Sequence, residues 1–230
     1  MTSDTPLQIG MLLYPDMTFL DLAGPFEIFS HIPHAKVHLI WKDRNPIISD
    51  VGMTVIPSTT FSECPPLDVL CVPGGPGQIA LMDDSDVLDF IRKMGATAKY
   101  VTSVCTGSLL LAAAGLLTGY RAACHWMSRD QLSLLGAMPV AERIVKDRNR
   151  ITGGGVTAGI DFGFFVAGVL CGEERAKDIQ LRLEYDPKPP FPGGTDSTAD
   201  PALVAAVRES SKDMLTKRLA ATKRAAERLR

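Results

Sequence analysis

Apolar positions in this chain fall into short runs separated by glycine, proline and charge. Gln8 to Leu13, Lys36 to Lys42, Asp68 to Val72, Tyr100 to Val104 and Arg121 to Cys124 read as strands. Asp84 to Ala98 is amphipathic at helical spacing. Thr106 to Ala114 is continuously rich in Leu and Ala and reads as a buried helix that Gly115 stops. Thr157 to Leu170 and Glu173 to Tyr185 are two further helices. Val51 to Pro57 suits a short strand or hairpin arm. Arg143 to Val145 and Arg150 to Thr152 flank a turn as a hairpin, and Ser128 with Gln131 forms a capping box for a helix through Leu135. Proline is favoured at the first helical position, so the helix in FLDLAGPFEIF is expected to begin at Pro25 after Gly24. That leaves Asp21 in the upstream turn, which Leu20 and Leu22 anchor. The strand–helix–strand order before Cys105 implies a parallel pair joined by a crossover. The pattern as a whole predicts an α/β fold with a mostly parallel central sheet and helices on both faces.

The end of the chain differs in character. Residues 186–198 (DPKPPFPGGTDST) are a Pro/Gly-rich connection, ordered only if it packs on something. Residues 199–230 read as a C-terminal helix packed on the core or on a partner subunit, with Val204, Val207, Met214, Leu215 and Leu219 on one face. Its basic last third reads as solvated. A single domain is expected over residues 1–230.

Bulk properties narrow the function. At 230 residues, 46% hydrophobic and a formal net charge of -2, the chain can bury a large core and gives no case for nucleic-acid or membrane binding. No basic-then-apolar leader precedes Gln8. Cys64, Cys71, Cys105, Cys124 and Cys171 form no C-x-x-C pair. The odd count suggests reduced thiols and a cytoplasmic protein. No ligands stand at metal spacing, so no metal site is expected.

The chemistry centres on Cys105, between a strand and a helix, with Ser103 and Gly107 as small flanking residues. This is the arrangement of a nucleophile elbow. The free amides and dipole of the first helical turn are expected to lower the thiol pKa. The alternative is a small buried hydrophobe. The Gly74-Gly75 loop ends another strand and lacks the Gly-Lys-Ser/Thr ending of a phosphate cradle. A plain turn is its alternative. Asp21, Gly74-Gly75 and Cys105-Thr106 should meet at the sheet's C-terminal edge, where ligands bind in open α/β folds. His125, Trp126 and Gly154, in the loop 153–155, close the rim. A carboxyl beside a thiolate should share one proton with it. Such a pair suits attack on a small electrophile and protonation of the adduct, with the Gly75 and Thr106 amides stabilising negative charge or holding a water. His125 is open between a dyad partner and a structural residue.

SVCTGSLLLAAAGLL, CVPGGPG, FLDLAGPFEIF, ACHW and ITGGGVTAGIDF together resemble the ThiJ/PfpI superfamily, of class I glutamine amidotransferase-like fold. With IQLRLEYDPKPPF added, the chain is most similar to its isocyanide hydratases. The resemblance implies a flavodoxin-like sandwich and a homodimer. It also implies cofactor-free addition of water to an isocyanide, giving an N-substituted formamide through a thioimidate on Cys105, with Asp21 moving the proton. Peptidase-like relatives place His directly after the cysteine, where this chain has Thr106. Glyoxalase- and deglycase-like relatives use Glu where Asp21 stands and a His that His125 could match, so α-oxoaldehyde chemistry is the alternative. Related sensor domains precede DNA-binding modules in regulators, for which the segment after the core leaves no room.

Overall fold

The structure, a computed structural model, describes residues 6–230, so the segment bearing on a leader lies largely outside the described residues. Eleven strands are β1 (Leu7–Leu12), β2 (Ala35–Trp41), β3 (Ile47–Ile48), β4 (Thr54–Val55), β5 (Thr59–Thr60), β6 (Val69–Val72), β7 (Tyr100–Val104), β8 (Arg121–Ala122), β9 (Met138–Pro139), β10 (Ile144–Asp147) and β11 (Arg150–Gly153). Eight α-helices are α1 (Phe19–Ser30), α2 (Gln78–Leu81), α3 (Ser85–Thr97), α4 (Gly107–Ala113), α5 (Ala158–Cys171), α6 (Glu173–Arg182), α7 (Pro201–Ser210) and α8 (Lys212–Arg228). A 3₁₀ helix spans Arg129–Leu135.

Seven strands form one sheet in the order β10-β11-β7-β6-β1-β2-β5. All its pairs are parallel except β10 with β11. This is the mostly parallel flavodoxin-like sheet that the alternation of runs predicts. Its inner strands are aliphatic because helices cover both faces. Val69 to Val72 and Val101 to Val104 are buried throughout. The chain runs outward one way from β1 to β2 and the other way from β6 to β7. β1 and β6 are therefore neighbours at a topological switch point, where a crevice opens beyond the strand ends. No described helix is long and apolar enough to cross a membrane.

Four local expectations are corrected. First, α1 starts at Phe19, not Pro25. Asp50, from a distant loop, caps it: its carboxylate accepts from Thr18 Oγ1 at 2.8 Å and from the Phe19 amide at 3.3 Å. Pro25 lies inside the helix and its ring packs where Gly159 of α5 leaves room. Asp21 therefore sits in the first helical turn; Leu22 is buried beside it, whereas Leu20 is exposed. Second, Ser128 does not cap the 3₁₀ helix. Its hydroxyl accepts from Arg218, and Gln131 accepts from Thr222, so α8 recruits both members of the expected capping box. Third, the C-terminal segment is two helices broken at Ser211. The buried face of α8 is Arg218, Ala221, Thr222 and Ala225, whereas Val207 and Leu219 are exposed. Its basic end is not simply solvated, because Arg224 and Arg228 both reach Asp83. Fourth, the strand expected over Arg121 to Cys124 spans only Arg121–Ala122, paired with β9 in a small separate sheet.

The turn from β7 into α4 has almost no tolerance. A Cβ on Gly107 would collide with the carbonyl oxygens of Val72 and Pro73, which are backbone atoms that cannot swing aside. A Cβ on Gly24 would meet Ile160 Cγ1 at 3.1 Å and backbone atoms only at ordinary contact distances of 3.7 and 3.8 Å. Gly107→Ala should therefore destabilise by about 2 to 3 kcal/mol, lowering the melting temperature by roughly 5 to 10 °C in thermal unfolding. Gly24→Ala should lower it much less.

Candidate functional site

Cys105 follows β7 directly and has φ +57°, the left-handed region that non-glycine residues rarely occupy. Among the described residues, the other four non-glycine residues with positive φ are exposed; Cys105 is buried. Its conformation is held from behind. The Cys105 amide donates to the carbonyls of Gly153 at 3.1 Å and Gly154 at 2.8 Å. Behind the elbow, Ser103 and Ser108 hydroxyls stand 2.8 Å apart and Ser108 donates to the Ala123 carbonyl at 2.6 Å. Strain of this kind costs about 1 to 3 kcal/mol and persists only when the surroundings fix it.

Gly74 is the meeting point. Its amide donates to Asp21 Oδ2 at 2.9 Å. A Cβ there would lie 2.5 Å from the Thr106 nitrogen, 2.8 Å from Asp21 Oδ2 and 2.8 Å from Thr106 Oγ1. Only glycine lets these three elements close on one another. Gly75, at φ +141°, donates to Thr106 Oγ1 at 3.0 Å. The Gly75 amide is thus already committed and is not a free donor for an oxyanion. The Thr106 amide faces the Cys105 sulfur instead. Asp21 Oδ1 is buried without a hydrogen-bond partner of ordinary geometry, and the Cys105 side chain lies close enough to interact with the carboxyl.

The electrostatics differ from the expected depressed thiol. Burial, and secondly the Asp21 charge, push the Cys105 thiol well above its usual range; the Thr106 amide and Arg218 pull the other way. Burial also pushes the Asp21 carboxyl up to about 7, against the pull of the Gly74 amide and the Cys105 thiol. Helix-end amides do act on the sulfur, but removal from water outweighs them. The two groups behave as a pair that resists a second negative charge.

The rim residues do less than expected. His125 makes no hydrogen bond to Cys105 or Asp21; its Nδ1 accepts from the Met127 amide at 3.4 Å. Burial, then Arg218, lowers its pKa to about 4, so its ring is neutral at neutral pH. Trp126 packs under the Arg208 guanidinium, 4.7 Å from the ring centroid. Gly154 contributes the carbonyl that holds the elbow, and a Cβ on Gly155 would touch His125 at 3.2 Å. A cavity of about 210 Å³ lies beside Trp126, lined by Gly193 to Asp196 and by Leu203, Val204 and Val207. Of the Pro/Gly-rich connection, only residues 193–196 lie against this cavity, where Asp196 accepts from Arg129 at 3.2 Å; residues 186–192 are exposed. A larger cavity of about 930 Å³ opens at the other end of the sheet, around the starts of β1 and β2. Cys105 lines neither and is 4% exposed. No described cluster of His, Cys, Asp or Glu could hold a metal ion.

Three contributors escaped sequence reasoning. Tyr14 donates from its hydroxyl to the Pro73 carbonyl at 2.8 Å, bracing the Gly74 loop. Asp50 caps the helix that carries Asp21. Arg218 lies behind the site on α8. Only Arg218 left a trace in the sequence: 218, 221, 222 and 225 share one helical face, and the others on it are Ala, Thr and Ala, the small residues of a close-packed face.

The chain is similar to known proteins over most of its length. Isonitrile hydratase of Pseudomonas putida is 52% identical over 223 residues, spanning 97% of this chain and 98% of that protein. The crystal structure of a ThiJ/PfpI family protein from Pseudomonas syringae superposes with TM-score 0.92 at 46% identity, covering 94% of this chain and 90% of that one. The HTH-type transcriptional regulator GbdR of Pseudomonas aeruginosa is 27% identical over 189 residues, 79% of this chain but 51% of the regulator. The profile of the DJ-1/PfpI family matches residues 8–167, the sheet, the elbow and every strand end that builds the site, and the chain belongs to that family.

Proposed function

We propose that the protein is an isocyanide hydratase, converting R–N≡C and water to the formamide R–NH–CHO. The observation that carries the reading is the Gly74-held carboxyl of Asp21 beside a cysteine on a strained elbow. The near full-length likeness to a protein named isonitrile hydratase supports the substrate class, since isonitrile and isocyanide are the same group. Hydration is redox-neutral overall, so the reaction calls for no redox cofactor. The five cysteines are all free thiols, in keeping with a reducing, cytoplasmic setting.

Cys105 carries the covalent step. As its sulfur attacks the terminal isocyanide carbon, the thiol proton passes to the Asp21 carboxylate and on to that carbon. The S–H bond breaks, S–C and C–H bonds form, and the product is the thioimidate R–N=CH–S–Cys105. Water then adds to the same carbon, with Asp21 as base and the substrate nitrogen taking a proton. Collapse breaks the C–S bond, and the hydroxyl proton returns through Asp21 to the sulfur as the formamide leaves. The Thr106 amide steadies the sulfur in its anionic moments. Gly74 and Gly75 hold the acid and the Thr106 hydroxyl in register, and His125 and Trp126 border the site as neutral packing groups. We further propose a homodimer, because Ile48, Val51, Met53 and Ile56 form an exposed apolar edge on the β3–β4 hairpin.

Purified protein should convert an alkyl or aryl isocyanide to the formamide, followed by chromatography. Cys105→Ala should abolish turnover, and Asp21→Asn should reduce kcat by about 100-fold or more. A covalent adduct should appear by mass spectrometry on Cys105 and not on Cys64. Preferential conversion of methylglyoxal to lactate would overturn the reading in favour of α-oxoaldehyde chemistry.

The raised carboxyl gives a pH signature. Below pH 7 the pair gains its second proton and loses its base, so kcat/KM should fall about tenfold per unit there. Stability should run the other way. Asp21 moves from 3.8 to about 7 on folding, so its contribution is full below about pH 4 and is lost as pH rises to 7, by on the order of 4 kcal/mol. Asp21→Asn should therefore melt above wild type at pH 8, with the gap closing towards pH 4.

A further inference from the structure

Arg218 has unusual surroundings for a charged residue. It lies on α8, beyond residues 8–167 matched by the family profile, yet it is only 3% exposed. Its Nε donates to Gln78 Oε1 at 2.9 Å and its Nη1 to Ser128 Oγ at 3.1 Å. Both partners are neutral, and no carboxylate is paired with it among the described residues. Arg224 and Arg228 on the same helix, by contrast, both bind Asp83. An unpaired buried guanidinium is costly, and nothing on α8 itself offsets it.

Its two anchors are the ends of the two loops that bound the site. The Gln78 amide donates to the Gly75 carbonyl at 3.3 Å, and the Ser128 amide to the His125 carbonyl at 2.9 Å. Gly75 leads to Thr106 and Gly74 to Asp21. The groups whose charge acts most on the guanidinium are Cys105, Cys124 and Tyr14. Of these, only Cys105 is asked to become anionic during turnover.

We propose that Arg218 is a positioning residue for the Cys105 reaction: from outside the shared family core, it ties the Gly74–Gln78 loop to the His125–Ser128 loop and sets a buried positive charge behind the Cys105 sulfur. The inference rests on the hydration reading for its biological meaning, but its electrostatic content does not. Tyr14, Asp21, Cys124 and His125 face the same space, and Asp50, Arg129 and Asp196 act on them. Those groups are unchanged between variants, so the difference between profiles reports Arg218.

The test is the pH dependence of Cys105 alkylation by iodoacetamide in the full chain, read peptide by peptide by mass spectrometry. Arg218→Met should raise the midpoint by about one pH unit and slow alkylation at pH 7 about tenfold. Arg218→Lys, which keeps a protonatable group but cannot reproduce the two-armed tie, should shift the midpoint less than Arg218→Met. An unshifted midpoint in folded Arg218→Met, or an equal shift in Arg218→Lys, would overturn the proposal. If Arg218→Met does not fold, Ser128→Ala carries the test: loss of one anchor should slow Cys105 alkylation at pH 7 by about threefold, and an unchanged rate overturns the proposal. Isocyanide turnover is measured alongside. Absence of turnover in wild type with a shifted midpoint in Arg218→Met removes the hydration reading alone, and turnover with an unshifted midpoint removes the role of Arg218 alone.

Discussion

The site depends on the contact between the Gly74 backbone and the Asp21 carboxyl. A buried carboxyl with one oxygen unpartnered is an expensive group, and the Gly74 amide at 2.9 Å is its one conventional hydrogen bond. That amide can reach it only because Gly74 has no side chain, since Thr106 closes in from the other side. The same small gap thus sets the distance between acid and elbow. It links the end of β6, the first turn of α1 and the first residue after the nucleophile into one rigid unit.

Around this unit the structure accepts several unfavourable local states. Cys105 adopts a left-handed backbone, Asp21 is withdrawn from water, and Arg218 is buried with no carboxylate paired to it among the described residues. Each is tolerable because a well-packed sheet and its helices over-determine the geometry. Burial raises both members of the Cys105–Asp21 pair, so the site resists holding two negative charges.

The C-terminal segment belongs to the site rather than merely trailing the fold. The connection at 193–196 lies against Trp126, α7 places Arg208 over the same ring, and α8 reaches behind the two loops with Arg218. The sheet and α1 carry Cys105 and Asp21. The added helices shape the rim and the electrostatics, which is how one fold comes to host different chemistries.

Local sequence determined the strands, the elbow and the glycine loops. Tyr100 to Val104, the stop at Gly115 and the hairpin of β10 and β11 follow from composition and chirality acting over a few residues. The convergence of Asp21, Gly74 and Cys105 followed from the parallel order of strands. What only the tertiary structure decided were the interactions between residues far apart in the chain. Asp50 rather than a local residue caps α1, so the helix starts six residues before the proline that seemed to open it. Ser128 and Gln131 abandon their local capping roles for Arg218 and Thr222. The balance between helix dipole and desolvation at Cys105 was likewise illegible, because a sequence shows which amides adjoin a sulfur but not how much water has been removed from it.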